Sequence, residues 1–133
     1  MKLHGSIQGH DMVILVDSGS SSSFLSHSFA AQLSGIRSLP SGISVQVANG
    51  TVLHCQSVLP QASWSVGQYT FSSDLCILPL HHFDMILGMD WIESFSPMKV
   101  HWQQKWMVIP YHGSSAFLQG DCQSIAEDVV VHL

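Results

Sequence analysis

Met12-Val13-Ile14-Leu15-Val16-Asp17-Ser18-Gly19-Ser20 is the stretch on which the reading of this chain turns. Met12 to Val16 is an unbroken apolar run, far too short to cross a bilayer. It reads as a strand buried on both faces. The run ends on an acid. Gly19 frees the backbone to turn sharply beside that acid, and Ser18 and Ser20 place hydroxyl donors next to the carboxylate. A buried strand that delivers a carboxylate into a short polar loop fixes it at the rim of a rigid core, where catalytic groups tend to sit. Asp, Ser and Gly are also ordinary turn formers, so the tetrapeptide alone reads equally well as a plain turn.

Working outward, the chain punctuates itself about every ten residues with turn signals between short runs rich in Val, Ile, Leu, Phe and Trp. That is the pattern of a small all-β barrel or sandwich. Leu3 to Gln8 reads as a strand, with a turn at Gly9-His10-Asp11. A helix is expected from about His27 to Leu33, ended by Ser34-Gly35. Ile43, Val45 and Val47 alternate with polar residues as in a half-buried strand. Asn49-Gly50 follows, a hairpin signal because a type I′ turn needs positive φ at both positions. The return strand is Val52 to Leu59. A second hairpin joins about Ala62 to Val66 with Tyr69 to Leu78 through Gly67-Gln68. Asp84 to Leu87 is a short buried strand. Gly88 opens a helix to about Phe95, stopped by Pro97. Val100 to Trp102 and Trp106 to Ile109 form a last hairpin. Residues 1–112 are thus expected to form one domain. Residues 113–133 are expected to be a frayed tail or linker, with Ser124 and Glu127 at capping-box spacing for a short helix.

Composition narrows the functional classes. The 133 residues are 46% hydrophobic and 10% charged, enough to bury a core in a single domain. Four Lys and Arg against a formal charge of −5 provide no basic stripe, so nucleic acid is not an expected partner. Protonating all nine His would carry the charge to +4, so the protein should cross neutrality in mildly acid conditions. Cys55, Cys76 and Cys122 are odd in number and widely spaced, as free thiols of a reducing compartment are. No secretory segment opens the chain, so the Asn49-Gly50-Thr51 sequon is expected to stay unmodified and no membrane association is expected. Met1 reads as an added start on a fragment of a longer polyprotein, because the first strand begins almost at once.

A second element bears on Asp17. Asp84-Met85-Ile86-Leu87-Gly88-Met89-Asp90-Trp91 lies well downstream, just before the expected second helix. With Val13-Ile14-Leu15-Val16-Asp17-Ser18-Gly19-Ser20 and Val47-Ala48-Asn49-Gly50-Thr51 it makes three motifs in order. Over residues 3 to about 110 the sequence resembles the retropepsin-like aspartic proteases, and most closely the protease domain of plant Ty3/gypsy-type retrotransposon polyproteins. The resemblance implies a retropepsin-type β-barrel with one or two short helices, acting as an obligate or transient homodimer. It implies that Asp17 is the catalytic aspartate and that Ser18 links the two active-site loops across the dimer axis. It implies that Gly19 lets those loops approach and that Ser20 can hydrogen-bond the carboxylate. Ala48, Asn49 and Gly50 would lie at the flap that closes over a peptide. Ile86, Leu87 and Gly88 would be the strand supporting the active-site loop. Two departures stand out. Ser22-Ser23 continues the loop in small residues where relatives often carry larger ones, and the segment after Gly113 has no match.

What this implies chemically is an aspartic endopeptidase with one Asp17 from each of two chains, without metal or cofactor. Two facing carboxyls cannot both ionise comfortably, so they share a proton. One takes a proton from water while the other donates to the scissile carbonyl. An extended peptide or polyprotein would lie under the flaps, and activity is expected at mildly acid pH, in the cytoplasm or within virus-like particles. The alternative is a catalytically silent module of the same shape that dimerises or binds peptides. Other readings are weaker. Asp90 in a first helical turn suits the helix dipole. His81-His82 with Asp84 has no metal-ligand spacing. Ser20 to Ser23 with His27 lacks the G-x-S-x-G elbow of a serine hydrolase. Trp64, Trp91, Trp102 and Trp106 read as core or dimer-face residues.

Overall fold

A computed structural model describes residues 1–46 and 50–121. Its strands are β1 (Lys2–Ile7), β2 (His10–Val16), β3 (Phe24–Ser26), β4 (Arg37–Gln46), β5 (Val52–Val66), β6 (Tyr69–Leu78), β7 (Met85–Leu87), β8 (Lys99–His101), β9 (Trp106–Tyr111) and β10 (Ser114–Gln119). Its helices are α1 (His27–Ala30) and α2 (Met89–Ser94). The main sheet runs β1-β2-β7-β3-β6-β5-β4, and β1 pairs again with β5 through Ser6↔Ser65 and Ile7↔Trp64. That pairing closes six strands into a barrel and leaves β4 outside the ring, on β5. Most of the pairings are antiparallel, but β2 with β7 and β3 with β6 are parallel. The chain is therefore an all-β closed barrel with two short helices, the architecture the resemblance implied.

The apolar run at Met12 to Val16 becomes β2, and Ile14, Leu15 and Val16 are all buried. In the sheet β2 lies between β1 and β7, with Val16 opposite Leu87. Asp84 extends the β2–β7 pairing beyond its regular end. Its N–H donates to the Val13 carbonyl at 3.1 Å and its carboxylate accepts the Val13 N–H at 2.8 Å. A helical anchor sits alongside. Trp91 of α2 packs 6.1 Å from Trp64 and 5.6 Å from Phe71 (ring centroids), with Phe95 5.0 Å away. These large aromatic faces fix α2 on the barrel wall.

Several expected boundaries shift. The expected helix to Leu33 stops at Ala30, because Gln32 and Leu33 donate to carbonyls three residues back in tight turns. The two strands expected at Val52–Leu59 and Ala62–Val66 are one long β5, bent at a register break between Leu59 and Ala62, where Gln61 has φ 48°. Both hairpins share that strand.

The largest correction lies after Gly113. In place of a tail from that point, Ser114 to Gln119 form β10, paired antiparallel with β9 from Ser114↔Tyr111 to Gln119↔Trp106. The segment reads as low in apolar content, yet Ala116 and Leu118 alternate inward and both are buried. The Asp121 N–H then donates to the Lys2 carbonyl at 2.8 Å, tying this sheet to β1. The helix expected around Ser124 lies outside the described residues. Leu118→Ala should cost about 2–5 kcal/mol, as deletion of a buried leucine side chain does. Equilibrium urea unfolding checks this, and a change below about 0.5 kcal/mol would return the segment to the status of a tail.

Candidate active site

Strands β2 and β3 both flank β7, so the loop that joins them, Asp17 to Ser23, must pass over the point where the chain leaves β7 at Gly88. The crossing is very close. A Cβ built on Gly88 would lie 2.3 Å from the Ser22 carbonyl oxygen and 2.6 Å from that of Ser20. Only glycine fits beneath the loop, which is why an apolar-apolar-Gly strand accompanies the acid motif in this chain.

The loop is held by hydrogen bonds at both ends. At its start the Asp17 N–H donates to the Leu87 carbonyl at 2.9 Å, and the Ser20 N–H donates to the Asp17 carbonyl at 3.2 Å. The Asp17 carboxylate accepts the Gly19 N–H on Oδ1 at 2.9 Å. Asp17 itself is 6% exposed, while Ser18 and Gly19 beside it are exposed. A carboxylate set in a nearly buried position, with small exposed residues next to it, is open to approach from the Ser18-Gly19 side.

The far end of the loop meets α2. Met89 and Asp90 N–H groups donate to the Ser20 and Ser21 carbonyls at 2.7 and 3.3 Å. Ser23, 1% exposed, gives its hydroxyl to Asp90 Oδ1 at 2.7 Å and its N–H to Asp90 Oδ2 at 3.1 Å. The same hydroxyl accepts the buried Gly88 N–H at 3.1 Å. Asp90 Oδ1 also takes the Trp91 N–H at 2.7 Å.

The expected site residues fall as follows. Asp17, Ser18 and Gly19 sit together at the exposed rim of β2 and β7. Ser20 does not turn its hydroxyl to the Asp17 carboxylate; it donates to the Ser22 carbonyl at 2.7 Å and braces the loop. Gly50 is exposed with φ 87°, as a hairpin tip between β4 and β5 requires. Ala48 and Asn49 lie outside the described residues. Beneath the hairpin, Val45 and Cys55 pack with Phe24 and Leu78 in a second apolar cluster, flanked by half-buried Leu53, Leu80 and Ile86. Surface grooves of about 410 Å³ by His4, Asp11 and Ser65, and about 480 Å³ by Phe71, Phe95 and Tyr111, are lined by no residue of the Asp17 loop. They belong to other faces of the barrel.

Sequence reasoning missed Ser23 and underread Asp90. Asp90 does sit in the first turn of α2, but its carboxylate is spent on Ser23. The one signal for this in the sequence was the polar Ser23 immediately before the buried Phe24-Leu25.

Two thiols lie behind this loop. The Cys76 N–H donates to the Ser23 carbonyl at 3.3 Å, and Cys55 gives its thiol to the Ser57 carbonyl at 2.9 Å. Burial, and then Cys55 beside it, push the Cys76 thiol from 9.0 up to about 12, with Asp90 and Asp74 adding to the shift.

The sequence matches the family model described as retroviral aspartyl protease over residues 5–113. The chain belongs to the retroviral aspartyl protease family. Its fold is similar to the crystal structure of the retroviral protease-like domain of Ddi1 from Leishmania major. The TM-score is 0.64 at 12% identity, over 92% of this chain and 97% of that one. It is also similar to a retropepsin-like aspartic protease from Rickettsia conorii, with a TM-score of 0.50 at 14% identity over 90% and 81% of the two chains. No curated protein matches the sequence. At these identities the two structures establish the shared fold. The crossing of the Asp17 loop over Gly88 gives the family's motif order its geometry in this chain.

Gly88→Ala should lower stability by at least about 2 kcal/mol, because the clash is with backbone carbonyls that cannot swing away; thermal unfolding checks it. The Cys76 thiol should alkylate at pH 8 at least about tenfold more slowly than an unstructured peptide thiol, since the thiolate is the nucleophile. Site-resolved mass spectrometry reads that rate. Because the folded pKa lies above the unfolded one, the Cys76 contribution to stability is full below pH 9.0 and is lost as pH rises toward about 12.

Proposed function

We propose that this chain is an aspartic endopeptidase that acts as a homodimer, each copy contributing one Asp17. The observation that carries the reading is the position of that carboxylate. It is nearly buried at the end of a rigid strand, oriented by the Gly19 N–H, and flanked by the exposed Ser18-Gly19 pair through which a second copy can approach. One chain supplies one Asp-Ser-Gly, and a two-fold axis through the loops supplies the other. Ser18 then faces its counterpart across the axis.

With two carboxyls sharing one proton, the ionised member removes a proton from water and the protonated member donates to the peptide carbonyl. The hydroxyl adds to the carbonyl carbon. The C–N bond breaks as the amine leaves with a proton, and the shared proton is restored. The substrate is an extended peptide under the β4–β5 hairpin, with apolar residues beside the scissile bond against Ile86, Leu80 and Leu53. Its natural form on this reading is a retroelement polyprotein in the cytoplasm or a virus-like particle. The pair titrates as a unit, so activity falls on both sides of a mildly acid optimum.

Asp17→Asn should lower peptide cleavage by at least about 100-fold without changing the fold. Equal turnover by wild type and variant would defeat the reading, and absence of cleavage in both would favour a silent module of the same shape. Sedimentation should show that cleavage tracks the dimer; a compact monomer that cleaves with full activity would remove the shared site.

A further inference from the structure

We propose that Ser23 and Asp90 are positioning residues that set where Asp17 sits relative to its counterpart; this rests on the aspartic peptidase reading above. The loop from Asp17 to Ser23 contains Ser18, Gly19, Ser20, Ser21 and Ser22 between its ends. None of these side chains is large enough to lock a loop by packing. Its place is set by hydrogen bonds instead, and at the far end Asp90 supplies three of them, two to Ser23 and one to Ser21, beside the Met89 N–H on the Ser20 carbonyl and the Gly88 N–H on the Ser23 hydroxyl.

The donor and acceptor balance there is complete. Ser23 uses all of its polar groups: the hydroxyl donates to Asp90 Oδ1 and accepts from Gly88, the N–H donates to Asp90 Oδ2, and the carbonyl accepts from Cys76. Asp90 accepts three bonds on two oxygens, and its own N–H returns one to Ser21. An ionised carboxylate is acceptor-only, which is what three facing donors require. Asparagine in the same shape would present an NH2 to one of them. That NH2 meets either the Ser23 N–H or, with the amide flipped, the Trp91 N–H, donor against donor.

The rigid parts on either side make this a positioning device. Asp17 is tied to Leu87 at the end of β7, and Asp90 is carried on a helix fixed by Trp91 against Trp64 and Phe71. The loop bridges those two fixed points across Gly88. Loosening the Asp90 end lets the loop shift over Gly88 and carries Asp17 with it. The β4–β5 hairpin and the apolar wall at Ile86 stay where they are. The lesion is therefore felt in the chemical step more than in binding, since misplacing a reacting group by about 1 Å can cost about 100-fold in rate. A changed spacing between the two carboxyls also changes how strongly they share the proton.

The test compares wild type, Asp90→Asn, Ser23→Ala and Ser23→Thr at equal folded fraction. Asp90→Asn and Ser23→Ala should lose about 10–100-fold in kcat with KM within about threefold. Their bell-shaped pH profiles should narrow, because weaker coupling brings the two macroscopic pKa values together. Ser23→Thr keeps the hydroxyl and should recover most of the rate. Wild-type kcat and pH limbs in Asp90→Asn and Ser23→Ala overturn the assignment and leave the peptidase reading intact. If wild type shows no Asp17-dependent cleavage, the peptidase reading fails first, and the amide NMR signal of Gly19 decides the positioning claim. That amide should shift and exchange faster in Asp90→Asn; an unchanged Gly19 signal overturns it.

Discussion

A chain crossing with no room for a side chain governs this molecule. The loop after β2 has to reach β3, and β7 stands between them. It passes over Gly88 so closely that a single added carbon would meet two carbonyl oxygens. Everything that follows is arranged to make the crossing stable. The loop presents its backbone to that point, the carbonyls of Ser20 and Ser22, so the crossing constrains residue 88 to glycine. Strand β7 is short and apolar because it is buried between β2 and β3 beneath the loop. The chain turns into α2 directly after Gly88, so that helical N–H groups meet the loop's carbonyls as they come past.

Asp17 sits where it does as a consequence of that crossing. Its N–H pairs with Leu87 as though β2 continued for one more residue, and only then does the chain turn away. The carboxylate is therefore aimed by sheet geometry. Loops held only by their own turn chemistry wander by more than a reacting group can tolerate, whereas one anchored to a strand on one side and a helix on the other does not. In this protein the barrel closure between β1 and β5 and the aromatic contacts of Trp91 are part of the same support, although both lie away from the acid.

How much of this was legible in the sequence follows from where the information is local. The apolar run ending at Asp17 announced a buried strand delivering an acid. Asn49-Gly50 and Gly67-Gln68 announced the two hairpins, because turn chemistry depends on a few adjacent residues. Motif order carried the family and with it the barrel. Hidden were the features that depend on distant partners. Strand β10 is written in Ser, Ala, Phe, Leu and Gln, and only the presence of β9 beside it makes Ala116 and Leu118 a buried face. The merging of two expected strands into β5 hid for the converse reason. Pro60 and Gln61 interrupt the apolar pattern, yet β6 pairs with the strand on both sides of the bend and holds it together.

Asp90 shows the same limit at the site itself. Read alone, an acid in the first turn of a helix is explained by the helix, and no residue near it in sequence asks for more. Ser23, its partner, is just as unremarked within its run of serines. The pair becomes visible only once the crossing brings them together, and the reason for it is then physical. A loop of serines and one glycine cannot be secured by apolar packing. Hydrogen bonds to a rigid neighbour are the remaining means, and a carboxylate provides the most acceptor capacity in the least volume. Its charge is tolerable there because Asp90 stays in contact with solvent while three donors converge on it. The glycine that lets the loop cross and the acid that holds its far end act on the same crossing.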